Sequence, residues 1–96
     1  MDRSEILKIL IQHRNKLNEF KVKSLALFGS VARGDDRPDS DVDILVEFDG
    51  DASFDGYNSL LIFLEDLLGR KIDLVIKDGL KPRVRPHIEK EAVYVT

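Results

Sequence analysis

Between Leu27 and Glu47 the chain reads LFGSVARGDDRPDSDVDILVE, an apolar segment cut short by Gly29-Ser30 and followed, after a polar loop, by an alternating one. Val42, Ile44, Val46 and Phe48 take every second position. A strand over Asp41–Phe48 turns these four to one side and Asp41, Asp43, Leu45 and Glu47 to the other. That period sets a core-facing side and leaves two carboxylates, Asp41 and Asp43, on one face, about 6.6 Å apart along the strand.

The elements around this strand follow from the same kind of pattern. Asp2-Arg3-Ser4-Glu5 resembles a capping box, with Asp2 as N-cap. Ile6, Leu10, His13 and Leu17 then recur at helical spacing, with His13 expected as a core-edge packing residue rather than a ligand. Val22–Phe28 predicts a strand, Ser30–Arg33 a helical turn closed by Gly34, and Asp35–Ser40 a loop dense in Asp, Ser and Pro. After an acidic loop over Asp49–Asp55, the stripe Tyr57, Leu60, Leu61, Leu64, Leu67 and Leu68 predicts a core-packed helix, with Gly69 as its C-cap. Lys71–Ile76 predicts a third strand and Lys77–Lys81 a turn. Pro82 is expected at the first position of a short last helix that Pro86 limits or kinks, and Ala92–Val95 is a possible terminal strand. The reading is α+β, a small mixed sheet flanked by helices.

Composition narrows the function classes. Residues 1–96 are enough for one small domain with a modest core and little left for a separate substrate-binding domain. A net charge of −3 argues against nonspecific coating of nucleic acid, and no stable nucleic-acid binding is expected. Without cysteine there is no disulfide, thiolate metal site or cysteine nucleophile. No apolar run approaches the roughly 20 residues of a membrane helix, and the N-terminal MDRSEILK lacks the apolar core of a signal peptide. A cytoplasmic location is the expectation.

Two aspartates on one strand face can converge on one cation or straddle a pair about 3.5–4 Å apart. Oxygen ligands without His or Cys favour Mg²⁺ or Mn²⁺ over zinc, and Mg²⁺ is usually held by one or two carboxylates plus substrate phosphates. Unneutralised, the two charges raise each other's pKa, so a cation would relieve the site. A bare Asp-x-Asp is most simply a solvated acidic edge, but three features lift this one above that reading. Gly29 gives a turn at a strand end where backbone can approach phosphate without a Cβ, and Ser30 adds a hydroxyl. Asp73 sits mid-strand, opposite in facing to Ile72, Leu74 and Ile76, as a third metal ligand or a general base. Arg33 is placed to meet phosphate or to pair with the acidic loop.

Other motifs fail. Gly29 and Gly34 have P-loop spacing, but Asp35-Asp36 stands where Lys-Ser/Thr is required. Asp39, Asp41 and Asp43 start like an EF-hand loop, yet Ile44 takes the glycine position.

The arrangement Gly29-Ser30, ten residues, Asp41-x-Asp43 resembles the signature of the DNA polymerase β-like nucleotidyltransferase superfamily. LALFGSVARG and SDVDILVEF, with LLGRKIDLVIKDGLKPRVRPHI and EAVYV, are similar to its small stand-alone branch, the minimal nucleotidyltransferases or MNT-domain proteins. The resemblance implies the polymerase β-like fold over residues 1–96. It implies that Gly29 and Ser30 hold the triphosphate of ATP, with Arg33 as a phosphate contact. Asp41 and Asp43 would bind two Mg²⁺ ions. Asp73 would share the catalytic metal and help deprotonate the attacking hydroxyl. It further implies an antitoxin that transfers AMP to a tyrosine of an adjacently encoded HEPN-domain RNase toxin; the alternatives are a binding subunit that neutralises its partner by occlusion and a nucleotide-binding regulatory module that binds ATP without transfer. The basic run Lys81, Arg83 and Arg85 could touch phosphates or an acidic partner, or be solvated charge.

Overall fold

Asp2 begins the first element as the capping pattern requires: its side chain accepts the Glu5 N–H at 3.0 Å. The computed structural model describes residues 2–35, 37, 39–51 and 53–96. Helix α1 (Arg3–Gln12) buries Ile6 and Leu10, and α2 (Arg14–Glu19) continues the stripe with Leu17. The single helix expected from that stripe is broken at His13, whose φ of −104° and ψ of 19° leave the helical region. His13 Nδ1 lies 2.8 Å from the Ile9 carbonyl oxygen, and its ring meets Phe63 edge-on at 6.4 Å. The histidine is therefore a core-edge packing residue, as expected.

Strands β1 (Val22–Phe28), β2 (Val42–Phe48), β3 (Ile72–Ile76) and β4 (Val93–Tyr94) form a sheet in the order β3-β2-β1-β4. β1 pairs antiparallel with β2 and β4, whereas β3 runs parallel to β2. The mixed sheet flanked by helices is the architecture read from the sequence. Opposed residues share a face, so Leu25 and Leu27 line up with Val46 and Ile44, and these with Ile76 and Leu74. All but Ile76, which packs against its edge, form the core with Ile6, Leu10, Leu17 and, from α4 (Phe54–Leu68), Leu60, Leu64 and Leu68. The stripe over α4 is thus core packing. Ser53 caps its start by accepting the Gly56 N–H at 2.9 Å, and Gly69, at φ +63°, ends it. Helix α4 begins at Phe54, so Asp55 belongs to its first turn rather than to the acidic loop.

The opposite face carries Asp43, Leu45 and Glu47 on β2, aligned with Phe28, Ala26 and Ser24 on β1. Ala26 and Leu45 are buried there. Helix α5 (Arg85–Glu91) lies on this side: its Glu89 is 3.6 Å from Lys77, which in turn reaches Glu47 at 4.0 Å. The last helix starts later than expected. Lys81 to Val84 form a turn in which the Val84 and Arg85 N–H groups both donate to the Lys81 carbonyl at 3.0 Å. Pro86 consequently stands in the first turn of α5, where a missing N–H costs no intrahelical bond, instead of limiting the helix. The terminal strand is Val93–Tyr94, paired to Leu27 and Ala26. Of the Asp35–Ser40 loop and the Asp49–Asp55 segment, Asp36, Pro38 and Ala52 lie outside the described residues. Among the described residues no helix is long and apolar enough to cross a membrane.

Candidate functional site

Strand β1 ends at Phe28, and the chain turns at Gly29 with φ +69° into the short helix α3 (Gly29–Arg33), which Gly34 closes at φ +78°. Gly29 is required here on two counts. Its backbone is left-handed, and a Cβ at this position would lie 2.1 Å from Asp43 Oδ2. The turn is pressed against the carboxylate of the neighbouring strand, because Phe28 and Asp43 are opposed in the β1–β2 register. Ser30 follows, half-buried, in the first turn of α3.

Parallel pairing of β2 and β3 sets Asp43 beside Asp73. Asp43 is half-buried and Asp73 exposed. Burial, followed by the charge of Asp73, a hydrogen bond to it, and the charge of Asp41, pushes the Asp43 carboxyl up to about 6; Arg33 opposes the shift. Asp41 is exposed and stands one residue before β2 rather than within it, yet its charge is felt at Asp43. The structure thus brings Gly29, Asp43 and Asp73 into contact or register, with Asp41 and Arg33 near enough to act electrostatically.

The donors are all oxygen, and a half-buried carboxyl that resists ionisation is a place where a cation is favoured. Among the described residues no three His, Cys, Asp or Glu side chains gather around one point. The residues present therefore fit an ion that takes one or two carboxylates and draws its other ligands from phosphate and water, which is the habit of Mg²⁺. They do not fit a fully protein-ligated metal.

Arg33 is the last residue of α3 and exposed. Its Nη1 donates to Glu91 Oε2 at 3.2 Å and its Nε to Asp35 Oδ2 at 3.4 Å, and these pairings raise its pKa. Glu91 was not singled out in the sequence. Its Oε1 also accepts the Gly29 N–H at 3.0 Å, from a position 62 residues along the chain. No local pattern marks it, since an acid in EKEAVYV reads as solvated charge. Arg70 was missed as well: its Nη2 donates to the carbonyls of Ser40, at 2.6 Å, and Arg37, at 3.2 Å, and so ties the approach to Asp41 to the start of β3. Tyr57, expected only as core, donates its hydroxyl to the Leu74 carbonyl next to Asp73.

The basic run divides. Lys81 and Arg83 are exposed in the turn before α5, and Arg85 is paired with Glu89 at 2.9 Å. None of the three takes part in the hydrogen bonds around Gly29. A concavity of about 350 Å³ opens at the other end of the sheet, lined by Phe20, Lys21, Phe48, Ser53 and Gly56. Neither Asp43 nor Asp73 lines it, so this concavity is not the carboxylate site.

Comparison with known proteins agrees with this geometry. Residues 6–95 match the model of the nucleotidyltransferase domain family. Protein adenylyltransferase MntA of Thermococcus cleftensis is 44% identical over 92 residues, covering 95% of this chain and 93% of that protein. A solved structure described as a candidate minimal nucleotidyltransferase is 37% identical, superposes with a TM-score of 0.84, and covers 97% of this chain and 95% of its own. The MNT antitoxin complex with a tri-AMPylated Shewanella oneidensis HEPN toxin shares the fold at 19% identity and a TM-score of 0.61, over 88% of this chain and 70% of that one. The chain belongs to the nucleotidyltransferase domain family, in company with small relatives named as protein adenylyltransferases and minimal nucleotidyltransferases.

Proposed function

We propose that this protein transfers AMP from ATP to a tyrosine hydroxyl of a HEPN-domain RNase toxin, releasing pyrophosphate and silencing the toxin. The observation that carries the reading is the packing of the Gly29 turn against Asp43, with Asp73 beside it in register. A triphosphate-binding turn and a carboxylate pair in contact are what nucleotidyl transfer requires.

Gly29 and Ser30 hold the triphosphate, the first by its N–H and close approach, the second by its hydroxyl. Arg33 supplies a guanidinium to phosphate oxygen. Asp41, Asp43 and Asp73 would hold two Mg²⁺ ions, whose chemistry would be to neutralise negative charge that develops during transfer. Asp73, exposed on the edge strand β3, is open to the incoming hydroxyl and takes its proton. The tyrosine oxygen bonds to the α-phosphorus as the bond to pyrophosphate breaks, in line with the attack. The exposure of Asp41 and Asp73 suits a reaction in which the partner completes the site.

Support for the partner comes from the AMPylated HEPN toxin found with the MNT antitoxin that shares this fold, and from the adenylyltransferase name of the Thermococcus relative. The test is co-expression with a HEPN-domain toxin, sought first among the neighbouring genes. The wild type is expected to restore growth and Asp41→Asn/Asp43→Asn to fail while still folding. Undiminished protection by the double variant would establish neutralisation by occlusion instead.

A further inference from the structure

Two donors that this reading assigns to phosphate are engaged by one carboxylate of the same chain. Glu91 ends α5, and its two oxygens divide between the Gly29 N–H, at 3.0 Å, and Arg33 Nη1, at 3.2 Å. A backbone N–H has one hydrogen to give. A phosphate oxygen on Gly29 and the Glu91 carboxylate are both anions seeking that hydrogen, and their charges repel at such a distance. The two occupancies exclude one another.

The local structure lets Glu91 leave. Its side chain is 32% exposed, with flexible torsions, and stands where α5 gives way to β4. Arg33 keeps a second partner in Asp35, so its guanidinium is not left without an acid when Glu91 departs. Glu91 is also remote in sequence from the catalytic segment, and its tie to Gly29 joins the end of α5 to the start of α3.

We propose that Glu91 is an internal stand-in for a nucleotide phosphate: its carboxylate and the triphosphate compete for the Gly29 N–H and the Arg33 guanidinium, so nucleotide binds by displacing it. The inference rests on the nucleotide reading above. It implies that the measured affinity for nucleotide is the intrinsic affinity reduced by the fraction of molecules in which Glu91 holds the cradle. Binding of nucleotide also unties α5 from α3, which gives the C-terminal segment a nucleotide-dependent freedom.

Calorimetric titration of the full chain with a non-hydrolysable ATP analogue and Mg²⁺ tests this without reference to turnover. Glu91→Gln, nearly isosteric, keeps a neutral acceptor; Glu91→Ala removes the competitor. Loss of one competing hydrogen-bonded ion is expected to tighten binding on the order of 3- to 10-fold, with the Ala variant at least as tight as the Gln variant. Both variants are expected to melt below the wild type without ligand, and Glu91→Gln retains a folded protein for titration if Glu91→Ala does not. Equal or weaker binding by a folded variant, with the wild type binding normally, overturns the proposal and makes Glu91 a residue that positions the cradle. If neither wild type nor variants bind the analogue, the nucleotide reading falls and the proposal with it.

Discussion

Gly29 and Asp43 are in such close approach that a single added carbon on the glycine would lie 2.1 Å from the Asp43 carboxylate oxygen. The contact follows from register, since Phe28 and Asp43 are opposed across β1 and β2 and the turn after Phe28 folds back over the strand end. Gly29→Ala is expected to destabilise by about 1–3 kcal/mol from the left-handed backbone alone, plus the displacement of Asp43. Gly34→Ala is the control, because its φ of +78° imposes a similar backbone cost with nothing within 4 Å. Urea denaturation of the two variants should show the larger loss at Gly29. Equal losses would mean that the carboxylate moves aside freely.

Asp43→Asn removes a charge that burial and Asp73 both disfavour. At pH 7 its Tm is expected to equal or exceed that of the wild type, while transfer falls on the order of 10²-fold or more. A collapse of Tm would assign Asp43 a structural role.

The same carboxyl sets a pH dependence. Its pKa rises from 3.8 in the unfolded chain to about 6 in the folded one. The folded state thus retains a proton that the unfolded state has lost, and stability declines as pH rises between these values. Discounted for partial solvent screening, the decline attributable to Asp43 is roughly 1–2 kcal/mol. Wild-type stability measured from pH 4 to 7 should lose this much relative to Asp43→Asn. Saturating Mg²⁺ should reduce the loss by favouring the ionised carboxylate. A constant difference between the two proteins across the range would refute the assignment.

Tyr57 reaches from α4 to the Leu74 carbonyl on β3, one residue beyond Asp73. Tyr57→Phe leaves that carbonyl without its donor and is expected to cost about 0.5–1.5 kcal/mol in urea denaturation, with the m value unchanged. No loss would mean that water replaces the hydroxyl at β3.

What could be read from the sequence was what local pattern determines. The period of two in Asp41–Phe48 set both the strand and the face carrying Asp43, and the leucine stripe ending at Gly69 set α4. Asp73 was legible because a charge among Ile72, Leu74 and Ile76 has to face away from them. The break at His13 was not, since Ile6, Leu10 and Leu17 keep their helical spacing across a local change of backbone direction. Glu91 was not legible because its partners are brought to it only when β4 pairs with β1 and carries the end of α5 over Gly29. The start of α5 was misplaced because two prolines, Pro82 and Pro86, each suit a first helical turn, and the Lys81–Val84 turn decides between them.

The central claim is that the Gly29–Asp43–Asp73 assembly moves AMP onto a partner protein. Its most direct test is incubation of the chain and the proposed HEPN-domain partner with Mg²⁺ and ATP labelled on the α-phosphate, followed by locating the label on the partner. The account predicts label on a partner tyrosine with the wild type and none with Asp41→Asn/Asp43→Asn. Label of equal intensity with the double variant, or an unlabelled partner in the presence of the wild type, would contradict it.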